Sequence, residues 1–155
     1  MNRADAHLQH WLGHRNVLLE VLNAVPADKA KFKPWDGAMT LGQLAVHIAQ
    51  STDRFVNFIK SGEFSRSPAP EWSTLDDVKR IVKELTERTK AVLASLTDAD
   101  LQAEREAAPM NLKGPAVMFL SGAIDHEVHH KGQLYVYARM AGCDTLPFFV
   151  SRTGA

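Results

Sequence analysis

What the chain lacks narrows the field first. It has a single cysteine, Cys143, so no internal disulfide can form and a reducing compartment is expected. It has no excess of either charge: eighteen Lys and Arg balance eighteen Asp and Glu, and neither sign gathers in a block. The phosphate-neutralising surface of a nucleic-acid binder is not visible, so no nucleic-acid partner is expected. It also has no long apolar run. The longest nearly apolar stretch, residues 116–124, contains Ser121 and Gly122 and falls far short of the roughly 20 residues a bilayer requires. The opening residues Met1, Asn2, Arg3, Ala4 and Asp5 lack the apolar core of a secretory signal. The expectation is a cytoplasmic protein with no membrane partner.

What remains is 155 residues of ordinary globular composition, 23% charged. That is about one domain's worth and enough for a hydrophobic core, so one domain over residues 1–155 is expected. Four segments carry helical periodicity. In the first, about residues 4–24, Leu8, Trp11, Leu12, Leu18, Leu19 and Leu22 form the apolar stripe, and Pro26 ends the helix. In the second, about residues 41–61, Leu41, Leu44, Ile48, Phe55 and Ile59 share a face, Thr40 and Gln43 fit a capping box, and Gly62 suits the stop. The third, about residues 75–96, follows Ser73 or Thr74 as N-cap, with Val78, Ile81, Val82, Leu85, Val92 and Leu96 inward. The fourth, about residues 115–141, has Pro115 in its first turn and Gly142 just past its end. No segment alternates with period two, and residues 107–112 read as loop. The connections 25–39, 63–73 and 97–114 are each long enough to cross the bundle, so successive helices need not be antiparallel. The fold class is therefore all-α, a four-helix bundle with long crossover connections. After Gly142, the apolar tail Leu146, Pro147, Phe148, Phe149 and Val150 is suited to dock on the body or on a partner chain.

Seven histidines are the informative feature. Four residues advance a helix by about 400°, so His126 and His130 lie within roughly 40° of each other and one turn apart. Two imidazoles so placed can converge on one ion. His129 is rotated away and is a poorer partner for His130. A site that keeps an open position needs a third protein ligand, and His47, beside the second helix's apolar stripe, is the candidate. The bland alternative, a hydrogen-bonded histidine at the edge of the core, stands beside it. His7, His10 and His14 make a rival cluster along one edge of the first helix. Their plainer reading is a polar boundary facing solvent, with His7 and His10 exposed.

Two motifs match in letters only. Residues 126–130 fit the H-E-x-x-H of zinc proteases, whose glutamate is a general base. That class takes a third ligand downstream, and no His or Glu follows His130. Glu127 with His130 also fits the Glu-x-x-His of di-iron bundles, which need it twice; it occurs once.

The run His126, Glu127, Val128, His129, His130, Lys131, Gly132, Gln133 and Leu134, with Tyr137, Ala138, Arg139 and Gly142 after it, resembles the DinB-like (DinB/YfiT) family. So does the stretch from Thr40 through His47 to Ala49. The resemblance implies a four-helix bundle whose second and third helices run parallel, and one metal ion held by His47, His126 and His130. It further implies a homodimer, an association with stress response in some relatives, and activities that use a low-molecular-weight thiol. The expected function is thus a metal-dependent thiol S-transferase acting on a small-molecule substrate. The alternatives are a metal-dependent hydrolase and a non-enzymatic metal- or ligand-binding stress protein.

Zinc is the expected ion, with nickel, iron or manganese as alternatives. Glu127 is a candidate proton shuttle or hydrogen-bond partner of the site, against the plainer reading of a solvated helix glutamate. Gln133, near the face of His126, is a candidate for orienting a ligand. Gly132, costly inside a helix by roughly 1 kcal/mol, suggests a close helix approach, with a dimer seam as one setting. Cys143 reads as structural. Trp35 and Trp72, both in connections, read as core caps, with a pocket mouth as the alternative.

Overall fold

The computed structural model describes residues 2–152. Four long helices dominate: α1 (Arg3–Ala24), α2 (Leu41–Ser61), α3 (Leu75–Ala94) and α5 (Ala116–Met140), with a five-residue helix α4 (Asp98–Gln102) after α3. Each of the first three starts at a capping box, in which a side chain covers the third amide and the third side chain covers the cap's own N–H. The pairs are Asn2 with Asp5, Thr40 with Gln43, and Thr74 with Asp77. The stops are glycine-built. Gly62 has φ 80° and returns its N–H to Phe58. Gly142, at φ 106°, bonds Arg139 while Cys143 bonds Ala138, the paired closure that spares the last carbonyls of α5.

The core divides into two clusters, and their membership fixes the direction of every helix. One contains the C-terminal halves of α1 and α5 with the N-terminal halves of α2 and α3. The other contains the opposite halves: Leu8 and Trp11, Ile59, Leu93, and Phe119 with Leu120. Hence α1 and α5 run one way and α2 and α3 the other. Cross-contacts agree: Asp53 meets Arg88 and Thr89, and Lys60 meets the carbonyl of Ser95, so position rises together along α2 and α3. Only the connection between α2 and α3 has to return along the bundle. Extended, residues 62–74 reach about 40 Å, enough for a helix about 30 Å long. The other two long connections stay at one end each, contrary to the expectation that any of the three could cross.

Several local expectations need correction. Residues 107–112 are not simple loop: Glu104–Ala107 (β1) and Leu112–Pro115 (β2) form an antiparallel hairpin, with Asn111 left-handed at φ 51° in its turn. Four-residue strands are too short to show alternation. The pairing is secured from outside, by Ala107 in the core and Arg105 donating to the Ile59 carbonyl at 2.8 Å. Helix α3 ends at Ala94 rather than Leu96. Pro115 caps α5 instead of entering its first turn. Leu12, Leu19, Phe55 and Val92 are half-buried, while Val17, Val21 and Leu93 fill the core.

The apolar tail docks on the body, but through its backbone. Tyr135 donates to the Pro147 carbonyl at 2.9 Å, Lys131 to that of Phe149, and Ser151 to that of Gly13 at 2.9 Å. The rings of Phe148 and Phe149 remain exposed.

Candidate metal centre

Helices α2 and α5 are antiparallel neighbours, and His47 and the His126/His130 turn meet where they pack. The ring centroids are 5.1 Å apart for His47 and His126, 4.8 Å for His47 and His130, and 4.4 Å for His126 and His130. One nitrogen from each ring lies within 4.8 Å of the other two. Three nitrogens around one ion at about 2.1 Å each stand roughly 3.4–3.6 Å apart, so each ring has to turn inward by about 0.7 Å or less to complete the set. All three are half-buried: screened by protein, yet open on one side. His129 is exposed and only leans its ring on His130, centroids 4.9 Å apart.

The hydrogen bonding of the rings separates this cluster from an ordinary polar patch. His130 Nδ1 is 2.7 Å from Gln133 Oε1. An amide oxygen only accepts, so Nδ1 donates and the other ring nitrogen keeps its lone pair. Gln133 thus acts on His130, not on His126 as the helical arithmetic suggested. His126 Nδ1 is shielded from solvent and has no hydrogen-bond partner. Among the described residues, Arg54 Nε is the other buried side-chain atom in that condition. An unpartnered buried nitrogen is costly, and here it belongs to the one cluster of three imidazole donors. The donor set fits a divalent metal ion.

Burial favours the neutral form of two of the rings. Burial lowers the pKa of His126 to about 4, helped by the neighbouring His130, His47 and His129 and opposed by Glu127. Burial also lowers that of His47, with His130 and Arg54 adding to it. Neutral imidazoles are the form that ligates metal, so at these two rings the protein carries the protonation state a metal needs before one arrives.

Glu127 is not a solvated glutamate. It is fully buried and accepts four hydrogen bonds: from Trp11 Nε1 at 2.9 Å, Arg15 Nε at 2.7 Å, Arg15 Nη2 at 2.8 Å and Thr52 Oγ1 at 2.7 Å. Arg15, equally buried, also donates to Thr86 at 3.0 Å. This network ties all four long helices together at one level. It went unread in the sequence, though a signal was present: Arg15 stands four residues after Trp11 and three before Leu18, inside the apolar stripe.

His14 is also corrected. It is buried, receives a hydrogen bond from Lys131 Nζ at 2.8 Å, and has its pKa lowered to about 4, chiefly by burial. His10 is exposed as expected, but His7 is half-buried. The rival cluster does not assemble a three-residue ligand set.

On its outer side the centre opens onto an apolar cavity of about 480 Å³ that reaches from His130 and Gln133 to Trp35. Trp35 is 64% exposed and lines that cavity instead of capping the core. Trp72 does pack on the core, and a Cβ on Gly42 would stand 2.6 Å from its ring, so glycine is required there. A Cβ on Gly132 would meet nothing within 4 Å, so no close approach inside the chain explains that glycine. Cys143 is buried, its Sγ 3.4 Å from the Ala24 carbonyl, and burial raises its pKa. It is a packed, inert thiol.

Comparison with known proteins decides the family. The DinB family model matches residues 1–153. The chain belongs to the DinB family. Its relative YjoA of Bacillus subtilis, an uncharacterized protein, is 35% identical over 155 residues, covering 98% of this chain and 99% of YjoA. The crystal structure of YjoA superposes with a TM-score of 0.84 at 34% identity, covering 96% of this DinB-family chain and 99% of YjoA. A DinB-like protein from Bacillus cereus shares the fold with a TM-score of 0.77 at 24% identity, over 93% and 95% of the two chains. Family membership, helical architecture and a three-histidine cluster able to hold a metal ion therefore stand together.

Proposed function

We propose that this DinB-family protein is a metal-dependent enzyme of small molecules, holding one divalent ion with His47, His126 and His130 and joining a low-molecular-weight thiol through its sulfur to an electrophile, with the thiol proton passing to solvent and the electrophile releasing its leaving group. The observation that carries the reading is the ligand set itself. Three half-buried imidazoles converge, one is held by Gln133, one has a buried nitrogen without a partner, and His130 borders the cavity. Zinc is the first choice of ion, with nickel, iron and manganese as alternatives. When bound, such an ion supplies Lewis acidity and lowers the pKa of a coordinating thiol.

The chain's own residues do the rest. Gln133 fixes the tautomer and tilt of His130. The walls around the three rings exclude bulk water from one side. Glu127 serves as a fixed buried anion near His126. Its lone pairs are engaged by Trp11, Arg15 and Thr52, so we assign proton transfer not to Glu127 but to solvent at the open side. The absence of a membrane-spanning helix among the described residues and the single, buried thiol agree with a cytoplasmic setting. A homodimer is the assembly we propose.

The test begins with metal content by mass spectrometry of untagged protein, followed by cobalt substitution and titration with small thiols. One ion per chain, a thiol-dependent change in the cobalt spectrum and thioether formation with a panel of electrophiles are expected. A spectrum that responds only to hydrolysable esters and amides would favour the hydrolase. Binding without turnover of either class would leave a metal-binding stress protein.

A further inference from the structure

We propose that the cavity beside His130 is the binding site for the uncharged, apolar body of the substrate that meets the metal centre, with Trp35 as its outer wall. The identity of the occupant follows from the lining. Trp35, Met39, Leu44, Val136, Tyr137 and Met140 supply its surface, and no Asp, Glu, Lys or Arg is among the lining residues. An ionised group placed there would be partly stripped of water and find no counter-charge among the lining residues. An aromatic or aliphatic body loses nothing comparable. The volume of about 480 Å³ suits one small organic molecule, within the roughly 300–1,000 Å³ of known ligand sites.

The wall is pre-formed. The segment bearing Trp35 is closed at its base by two backbone bonds, Leu41 N–H to the Phe32 carbonyl at 2.7 Å and Gly42 N–H to that of Ala30 at 2.8 Å. Phe32 packs edge-on against Tyr137 with centroids 6.3 Å apart, which joins the segment to α5. An exposed tryptophan held on an anchored loop, opposite exposed Met140 and Val136, is a fixed apolar cleft and not a fold defect. His130 belongs to both the cavity lining and the histidine cluster, so a molecule lying in the cleft has one end against a member of that cluster. A second hollow beside α2 differs in charge: Asp53, Arg54, Glu63 and Arg88 are among its lining residues.

The inference rests on the proposed metal reading only for what happens at the reacting end, and the experiment separates the two. Metal-free protein is titrated with biphenyl-4-methanol and with biphenyl-4-carboxylate, followed by calorimetry and by the Trp35 indole N–H resonance, assigned with Trp35→Phe. The alcohol should bind saturably and at least tenfold more tightly than the carboxylate, shifting the Trp35 resonance and leaving those of Trp11 and Trp72 in place. Met39→Glu and Met140→Glu, at two exposed positions on opposite walls, should each weaken the alcohol at least fivefold without lowering the melting temperature. Equal or tighter binding of the carboxylate overturns the proposal. So does alcohol binding that ignores both substitutions, or loss of binding coupled to a dimer falling apart, which would make this face a subunit seam. Alcohol binding in a protein that takes up no zinc sinks the metal reading and leaves the cleft. Zinc uptake without alcohol binding does the reverse.

Discussion

Helix α5 carries two residue pairs at the same four-residue spacing, one step out of register: His126 with His130, and Glu127 with Lys131. The second pair faces α1, where every polar atom is answered. Glu127 takes four hydrogen bonds, and Lys131 gives its own to His14 and to the Phe149 carbonyl. The first pair faces α2 and the cavity, where His126 Nδ1 has no partner and three rings press together without bonding one another. Saturated polar clusters hold a bundle together; an unsaturated one is arranged for something the chain does not contain. Turning the helix by about 100° separates the buried polar network from the candidate metal site.

The largest expected effect tests the unsaturated face. His47→Ala, His126→Ala and His130→Ala should each take metal content from about one ion per chain to near zero, with His10→Ala unchanged, as read by mass spectrometry. Retention of the ion in any of the three would break the contrast. Next comes the saturated face. Arg15→Ala leaves a buried carboxylate without its counter-ion and should cost about 3–5 kcal/mol in urea unfolding, with the metal-binding residues untouched. A loss below about 1 kcal/mol would mean that the network holds little. Gln133→Ala frees His130 to rotate, and zinc affinity should fall roughly 10–100-fold by competition with a chelator while stability hardly moves.

The smallest effect is in pH. His14 has its folded pKa lowered to about 4 from 6.5, so between these values the unfolded chain binds a proton that the folded one refuses. Stability of the metal-free protein should be level between about pH 6.5 and pH 8, where Lys131 begins to titrate, and decline as pH falls below 6.5, with His126 adding a slope of the same sign. His14→Gln should flatten part of the decline in urea midpoints measured at pH 7 and pH 5. An unchanged slope would place the titration elsewhere.

The helices were legible because their caps and stripes are local: Thr40 with Gln43, Thr74 before α3, Gly62 and Gly142 behave as their types require. His126 and His130 were legible for the same reason, since helical spacing alone puts them on one face. His47 was a candidate from its place beside an apolar stripe, but its partnership with that turn drew on the family resemblance as well, because nothing local links residue 47 to a turn some eighty residues later. The burial of Arg15, Glu127 and His14 was not legible. A charged residue inside a stripe looks like an interruption until its partner arrives from another helix. The hairpin at residues 104–115 escaped because its stability comes from Ala107 and Arg105 docking on the bundle, not from its own pattern.

The sequence by itself therefore determined the number of long helices, their ends, and the pair of histidines on α5, all of which depend on contacts within a few residues. Only the tertiary structure decided which single connection runs back along the bundle, which charges are buried and matched, and that Trp35 lines the cavity beside His130 instead of packing in the core. Those outcomes depend on pairings between elements far apart in the chain. There the free energy of burying a polar or aromatic group takes its sign from the neighbour it meets.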